Sequence, residues 1–306
     1  MRYFFILLAA VPLMATKYAG EPFNMGMGAR PLGLGNSYVA VAEDPTSVYW
    51  NPAGLRGARS RQVFLMHSDI FGGLLRMDFL SFSIENLLGD VTGGIGLYIL
   101  NSPGIKQTAL KDTSDTARAS NVGVIDELNY NLIAMYLAGA RDLLGGRLGM
   151  SIKVLQEDLS VEKGIGMGVD LGYQRTGKHV SYGIVLRDAF TTPIFWSSGR
   201  KEYIMPNLRL GISFQRKGSF LLTADLQTFF ENRSTSSPLS LSIVSFEPSL
   251  GLEINVTGFF KLRGGLDRGN PAFGAGINTN RFDIDYAFLA HSDLGSSYRI
   301  SLTGRL

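Results

Sequence analysis

From Ile165 onward, apolar side chains take every second position, Ile165, Met167, Val169, Leu171 and Tyr173, while Gly166, Gly168, Asp170, Gly172 and Gln174 fill the places between. A period of two marks a β-strand, because successive side chains point to opposite faces. The pattern recurs at Leu148, Met150, Ile152 and Val154, at Val180, Tyr182, Ile184 and Leu186, and at Leu208, Leu210, Ile212 and Phe214. It continues through Leu250, Leu252, Ile254 and Val256, then Phe282, Ile284, Tyr286 and Phe288, and ends with Tyr298, Ile300 and Leu302. Such runs are about nine to eleven residues long, enough for a tilted strand to cross a bilayer, whereas strands of soluble proteins average five or six. Alternation alone also suits a secreted β-sandwich with one face on a core. The run length favours a membrane barrel, as do Tyr173, Tyr182, Phe214, Tyr286 and Tyr298, placed to sit at headgroup level.

The joins fall into two kinds. Gly145-Gly146, Thr176-Gly177-Lys178, Arg216-Lys217-Gly218 and Asn280-Arg281 are short turns, as expected at the periplasmic end of a barrel. Asn101 to Leu128, Asp188 to Pro206 and Phe230 to Ser245 are longer and polar or irregular, as expected of outer loops. Phe190, Ile194, Phe195 and Trp196 are unusually apolar for a solvated loop, which marks them as a candidate partner surface or lid. The predicted fold is all-β: one transmembrane antiparallel barrel over residues 62–306, of about fourteen strands, an even number as bacterial barrels have.

The N-terminus predicts export. Met1-Arg2 is a short positive start, and the apolar run from Tyr3 to Met14 has the length of a secretory h-region but is too short to span a bilayer. Residues 1–19 therefore read as a signal peptide cleaved between Thr16 and Gly20, and the expected location is the bacterial outer membrane. The absence of cysteine removes the thiol that a lipoprotein anchor requires, and 37 glycines suit a strand-rich chain. The net charge of +3 is not gathered in any run, so nothing points to nucleic acid.

Residues 20–61 have another texture: glycine-rich, too apolar for a linker, and without a long strand. The segment contains the short apolar run Tyr38 to Ala42, the Glu43-Asp44 turn and Tyr49-Trp50-Asn51-Pro52-Ala53-Gly54-Leu55. Asp44-Pro45 can start a helical turn, Asn51 suits turn capping, and Pro52 ends or redirects the helix. On these residues the chain resembles the FadL-like outer-membrane barrels, and VAVAEDPTSVYWNPAGL is most similar to the branch that includes PorV and PorQ. The resemblance implies that this segment folds into the lumen as a hatch, with Asn51, Pro52 and Ala53 inside the barrel. Asp44, Trp50, Asn51, Pro52, Ala53 and Gly54 form the candidate hatch motif, structural or gating. The closing strand ends in Leu306, where many outer-membrane strands end in phenylalanine.

Catalytic material is thin, and the expectation is no enzyme, no cofactor and no metal. Of three histidines, two lie in His67-Ser68-Asp69 and His291-Ser292-Asp293, whose adjacent residues face opposite ways and cannot form a triad by themselves. Gly26-Met27-Gly28 and Gly33-Leu34-Gly35 lack the strand, helix and spacing of a nucleotide loop. If apolar residues face lipid, then Arg147, Lys153, Asp170, Arg209, Asp225, Glu253, Asp283, Asp285 and Arg299 face inward and must pair or meet water. The expected partners are outer-membrane lipid and either secreted cargo or secretion-system components, which the PorV and PorQ resemblance implies through type IX secretion. The alternative is a channel for hydrophobic small molecules such as long-chain fatty acids, which predicts an apolar pocket beside the hatch. A purely structural barrel is the remaining reading.

Overall fold

The computed structural model describes residues 19–58, 61–110, 122–233, 237–241, 243–291 and 294–306. The expected signal peptide and the pair Ser292-Asp293 lie outside these. Seventeen strands follow the N-terminal segment: β1 (Gln62–Ile70), β2 (Leu75–Leu88), β3 (Val91–Leu110), β4 (Val122–Leu143), β5 (Gly146–Asp158), β6 (Lys163–Thr176), β7 (Val180–Arg187), β8 (Thr192–Trp196), β9 (Lys201–Ile204), β10 (Asn207–Arg216), β11 (Phe220–Phe229), β12 (Leu239–Leu241), β13 (Val244–Asn255), β14 (Phe260–Asp267), β15 (Asn270–Asn278), β16 (Phe282–Leu289) and β17 (Ser297–Arg305).

Fourteen of them close an antiparallel barrel, with β8, β9 and β12 as outer additions. The seam is β1 against β17, running from Gln62 opposite Arg305 to Asp69 opposite Tyr298. Closure leaves no sheet edge in the wall, so every strand finds its hydrogen-bond partners within the membrane. Among the described residues no helix is long and apolar enough to cross a membrane. Between the ends of β6 the exposed side chains are Ile165, Met167 and Leu171, and the buried positions are Gly164, Gly166, Gly168, Asp170, Gly172 and Gln174. The period of two therefore sorts lipid from lumen, and β1 begins at Gln62 as the pattern predicts.

The four short turns expected from the sequence share one end of the barrel with Gln62 and Leu306, here the turn end, although short joins at 71–74, 159–162 and 268–269 lie at the opposite end. The other is the loop end. Here the expected irregular loops carry structure. Asn101 pairs with Arg76 and Asn131 with Asp158, but beyond them residues 102–110 and 122–130 of β3 and β4 pair only with each other, as a ribbon standing clear of the wall. Pro103-Gly104, within the stretch expected to be an irregular loop, is absorbed as a bulge between Ser102 and Ile105, and the Gly104 amide donates to Asn129 Oδ1. The stretch from Asp188 to Pro206 holds the β8–β9 hairpin. Strand β7 stops at Arg187, and β8 takes over the outer part of β6 through Gly164–Trp196 and Gly166–Ile194 pairing.

Candidate functional site

Residues 19–58 run through the barrel interior. They form a 3-10 turn (Glu21–Asn24), α1 (Ala29–Gly33), α2 (Ser47–Trp50) and a second 3-10 turn (Pro52–Gly57). Asp44 Oδ1 accepts the Thr46 amide at 2.8 Å just ahead of α2. Asn51 stops that helix with extended backbone, and its Oδ1 accepts the Ala53 amide at 3.2 Å, capping the following turn. Its Nδ2 donates to the carbonyls of Val39 at 3.0 Å and Tyr173 at 3.2 Å, so Asn51 ties the segment to itself and to β6. The wall is shaped to receive it: a Cβ at Gly149 would collide with the Pro52–Ala53 backbone, and one at Gly172 with Asn51 Oδ1. Asn51, Pro52, Ala53 and Gly54 are buried here, as is Trp50, whose indole Nε1 donates to the Met27 carbonyl at 2.7 Å.

On the β10–β17 side, charge holds the segment. Asp225 accepts the amides of Tyr38 at 2.9 Å and Val39 at 3.1 Å, the Ser37 hydroxyl, and Arg209 Nε at 3.1 Å. Glu253 receives Arg30 at 2.9 Å, Arg263 at 2.8 Å and Lys261 at 3.1 Å, and Arg263 reaches on to Asp285 at 2.7 Å. Arg299 donates to the carbonyls of Gly28 and Met25. Lys153 bridges Asp170 and Asp188. The charges expected to face inward do so, and they pair or bond to backbone. Within the segment, burial pushes the Tyr38 phenol well above its usual range, Arg30 opposing and Asp44 reinforcing, so it stays protonated and donates to Asp44 at 2.5 Å.

The β1–β4 side is apolar. Phe64, Met66, Met77, Phe79, Tyr98, Leu100, Leu132 and Tyr136 are buried against Phe23, Val48, Tyr49, Trp50 and Leu55 of the segment. Ring centroids lie 5.9 Å apart for Phe23–Tyr98, 6.3 Å for Tyr49–Tyr136 and 6.2 Å for Phe64–Phe79. The segment thus has a charged back and an apolar front. The cavity at the turn end, about 390 Å³, is polar and lined by residues that include Arg30, Asp44, Gln62, Asp283, Asp285 and Arg305. It is not the apolar pocket expected of a hydrophobic channel; beside the segment, that apolar space is filled by the segment's own rings.

The loop cluster divides. Phe190 and Phe195 are exposed, but Ile194 and Trp196 point inward and are buried, so these two do not offer the free surface expected of them. The reason is legible in hindsight: Thr192, Ile194 and Trp196 alternate with Pro193 and Phe195, a strand pattern inside a stretch that reads as loop. His67 lies on the outward face, 2.7 Å from Asp78, while Ser68 turns inward to the Tyr298 carbonyl, which keeps the tripeptide apart. Among the described residues no group of three or more His, Cys, Asp or Glu is placed to hold a metal.

No protein-family model and no curated protein matches this sequence. Solved structures do match. The Pseudomonas putida toluene transporter TodX superposes with a TM-score of 0.59 at 13% identity, over 91% of this chain and 96% of that one. A Pseudomonas aeruginosa FadL homologue gives 0.60 at 11% identity, over 91% and 98%. The fold is that of these barrels. At such identities the likeness is one of architecture, and it gives no support to the PorV and PorQ branch that the N-terminal phrase resembles.

Proposed function

We propose that this chain is an outer-membrane channel for small hydrophobic molecules, its short turns facing the periplasm and residues 19–58 acting as an internal gate. The observation that carries the reading is the split lumen. The Arg30–Glu253 ion pair and the Asp225 carboxylate fix the segment's back to β11 and β13, whereas its front meets β1–β4 mainly through apolar and aromatic side chains that a hydrophobic solute can replace, with Arg187 of β7 held to Phe23 and Tyr49 as the charge at its edge. A solute would pass along that front as rings of the segment and wall part, and the polar cavity at the turn end would release it to water. The toluene transporter and the FadL homologue with the same fold support this direction.

The test is uptake of labelled toluene and of a labelled long-chain fatty acid into proteoliposomes holding folded protein. Uptake above protein-free vesicles, abolished by Met77→Glu in the apolar wall, is the expected result. Folded protein that admits neither solute overturns the reading. Cargo handling for secretion draws on the exposed Phe190 and Phe195 and on the β3–β4 ribbon. A secreted protein copurifying with a barrel that transports nothing would favour it.

A further inference from the structure

Charge at the turn end is uneven. The carboxylates there are taken: Glu43 by Arg147 at 2.6 Å, Asp90 by Arg141 at 3.3 Å, Asp142 by Arg56 at 2.9 Å, and Asp283 by Arg305. Arg61, Arg175, Lys178, Arg216, Lys217 and Arg281 stand exposed on the same rim with no carboxylate partner among the described residues. They sit at the start of β1 and on the β6–β7, β10–β11 and β15–β16 turns, and so are spread around the circumference. Directly below the β6–β7 and β10–β11 turns, on the outward face, Tyr173 lies 6.2 Å from Tyr182, and Phe214 lies 6.0 Å from Phe220. Aromatic pairs in that position mark headgroup depth. At the loop end more of the cations meet acids: Lys163 is held by Asp158, and Arg200 by Glu162 and Glu202.

We propose that this ring binds the phosphodiester headgroups of anionic phospholipids in the leaflet that meets the turn end. The inference rests on the membrane-spanning reading given above. Arginine presents a planar fork that matches phosphate, and basic residues near an anionic leaflet are attracted over about a Debye length. The arrangement selects the partner. A ring level with an aromatic girdle fits a plane of headgroups, whereas an acidic protein would be met by a patch on one side.

The experiment reconstitutes the full chain into vesicles of phosphatidylcholine alone or mixed equally with phosphatidylglycerol, then counts retained lipid by native mass spectrometry after gentle detergent release. Phosphatidylglycerol should be enriched about tenfold over phosphatidylcholine at low salt, falling as the Debye length shrinks to about 3 Å at 1 M. Replacing the six ring residues with glutamine should bring the ratio to about one while the compact, heat-modifiable gel band persists. Should that variant not fold, Arg216→Gln with Lys217→Gln on one exposed turn should lower the ratio part-way. Lys163→Gln with Lys201→Gln, at the loop end, should leave it unchanged. A wild-type ratio of one, or a ratio unmoved in the ring variants, overturns the proposal, as does capture of an acidic protein without lipid enrichment. Wild type that inserts into neither vesicle refutes the membrane reading instead, so the two failures are distinguishable.

Discussion

Replacing Asp225 with alanine should free the middle of the internal segment. Its carboxylate is about 1% exposed, anchors the Tyr38 and Val39 amides, and neutralises Arg209, itself only about 5% exposed. Removing one partner of a buried ion pair leaves the other charge stranded, at a cost of about 3–5 kcal/mol. At about 1.4 kcal/mol per decade, that raises local opening by roughly two to almost four orders of magnitude. Amide hydrogen exchange at Tyr38 and Val39 in detergent reads this directly, with amides of the β4–β5 ladder as an unchanged reference. Asp225→Asn should fall between, keeping an acceptor oxygen without its charge. Asp225→Leu combined with Arg209→Met should recover only part of the loss, because neither charge is then left alone in the interior but the Tyr38 and Val39 amides still lack their acceptor. Protection at Tyr38 and Val39 within about twofold of wild type in Asp225→Ala would refute the reasoning, and so would a double variant as loose as the single one.

Gly149→Val should drive a side chain into the Pro52–Ala53 backbone and expel the segment, seen as new protease cleavage within residues 19–58 while the barrel band survives; Gly264→Ala, which meets nothing within 4 Å, should be neutral. Tyr49→Phe removes the hydroxyl that donates to the Phe23 carbonyl at 2.6 Å and accepts the Gly26 amide, a loss of about 1–3 kcal/mol. In a Trp196→Phe background the emission of Trp50, whose ring lies 5.2 Å from Tyr49, should report it as a lower urea midpoint, and an unchanged midpoint would count against that bond. Leu137→Arg, between Ile95 and Ile152 on the outward face, should cost about 2–4 kcal/mol in bilayers by equilibrium unfolding; no loss would mean that this face does not meet lipid.

Strand number, the short turns and the start of β1 were legible because lipid and lumen impose opposite chemistry on alternate residues, as Ile165 and Asp170 illustrate in β6. Asn51 announced its capping role through its place before Pro52. What the sequence hid depends on contacts distant in the chain. Arg30 meets Glu253 across 223 positions, and no spacing rule connects them. The β3–β4 ribbon was obscured because a bulge tolerates Pro103-Gly104, and the inward turn of Ile194 and Trp196 because β7 ends early and leaves β6 in need of a neighbour.

The seam has a bearing on biogenesis. Strand β17, which closes the hoop on β1, also grips what precedes β1: Arg299 donates to the carbonyls of Gly28 and Met25, and Ser301 Oγ accepts the Ala29 amide. The β16–β17 hairpin therefore both seals the cylinder and latches its contents. Without that joint the sheet is an open cup and residues 19–58 lack these holds. A slip of register at this single joint would misplace cylinder and contents together, giving one checkpoint for both.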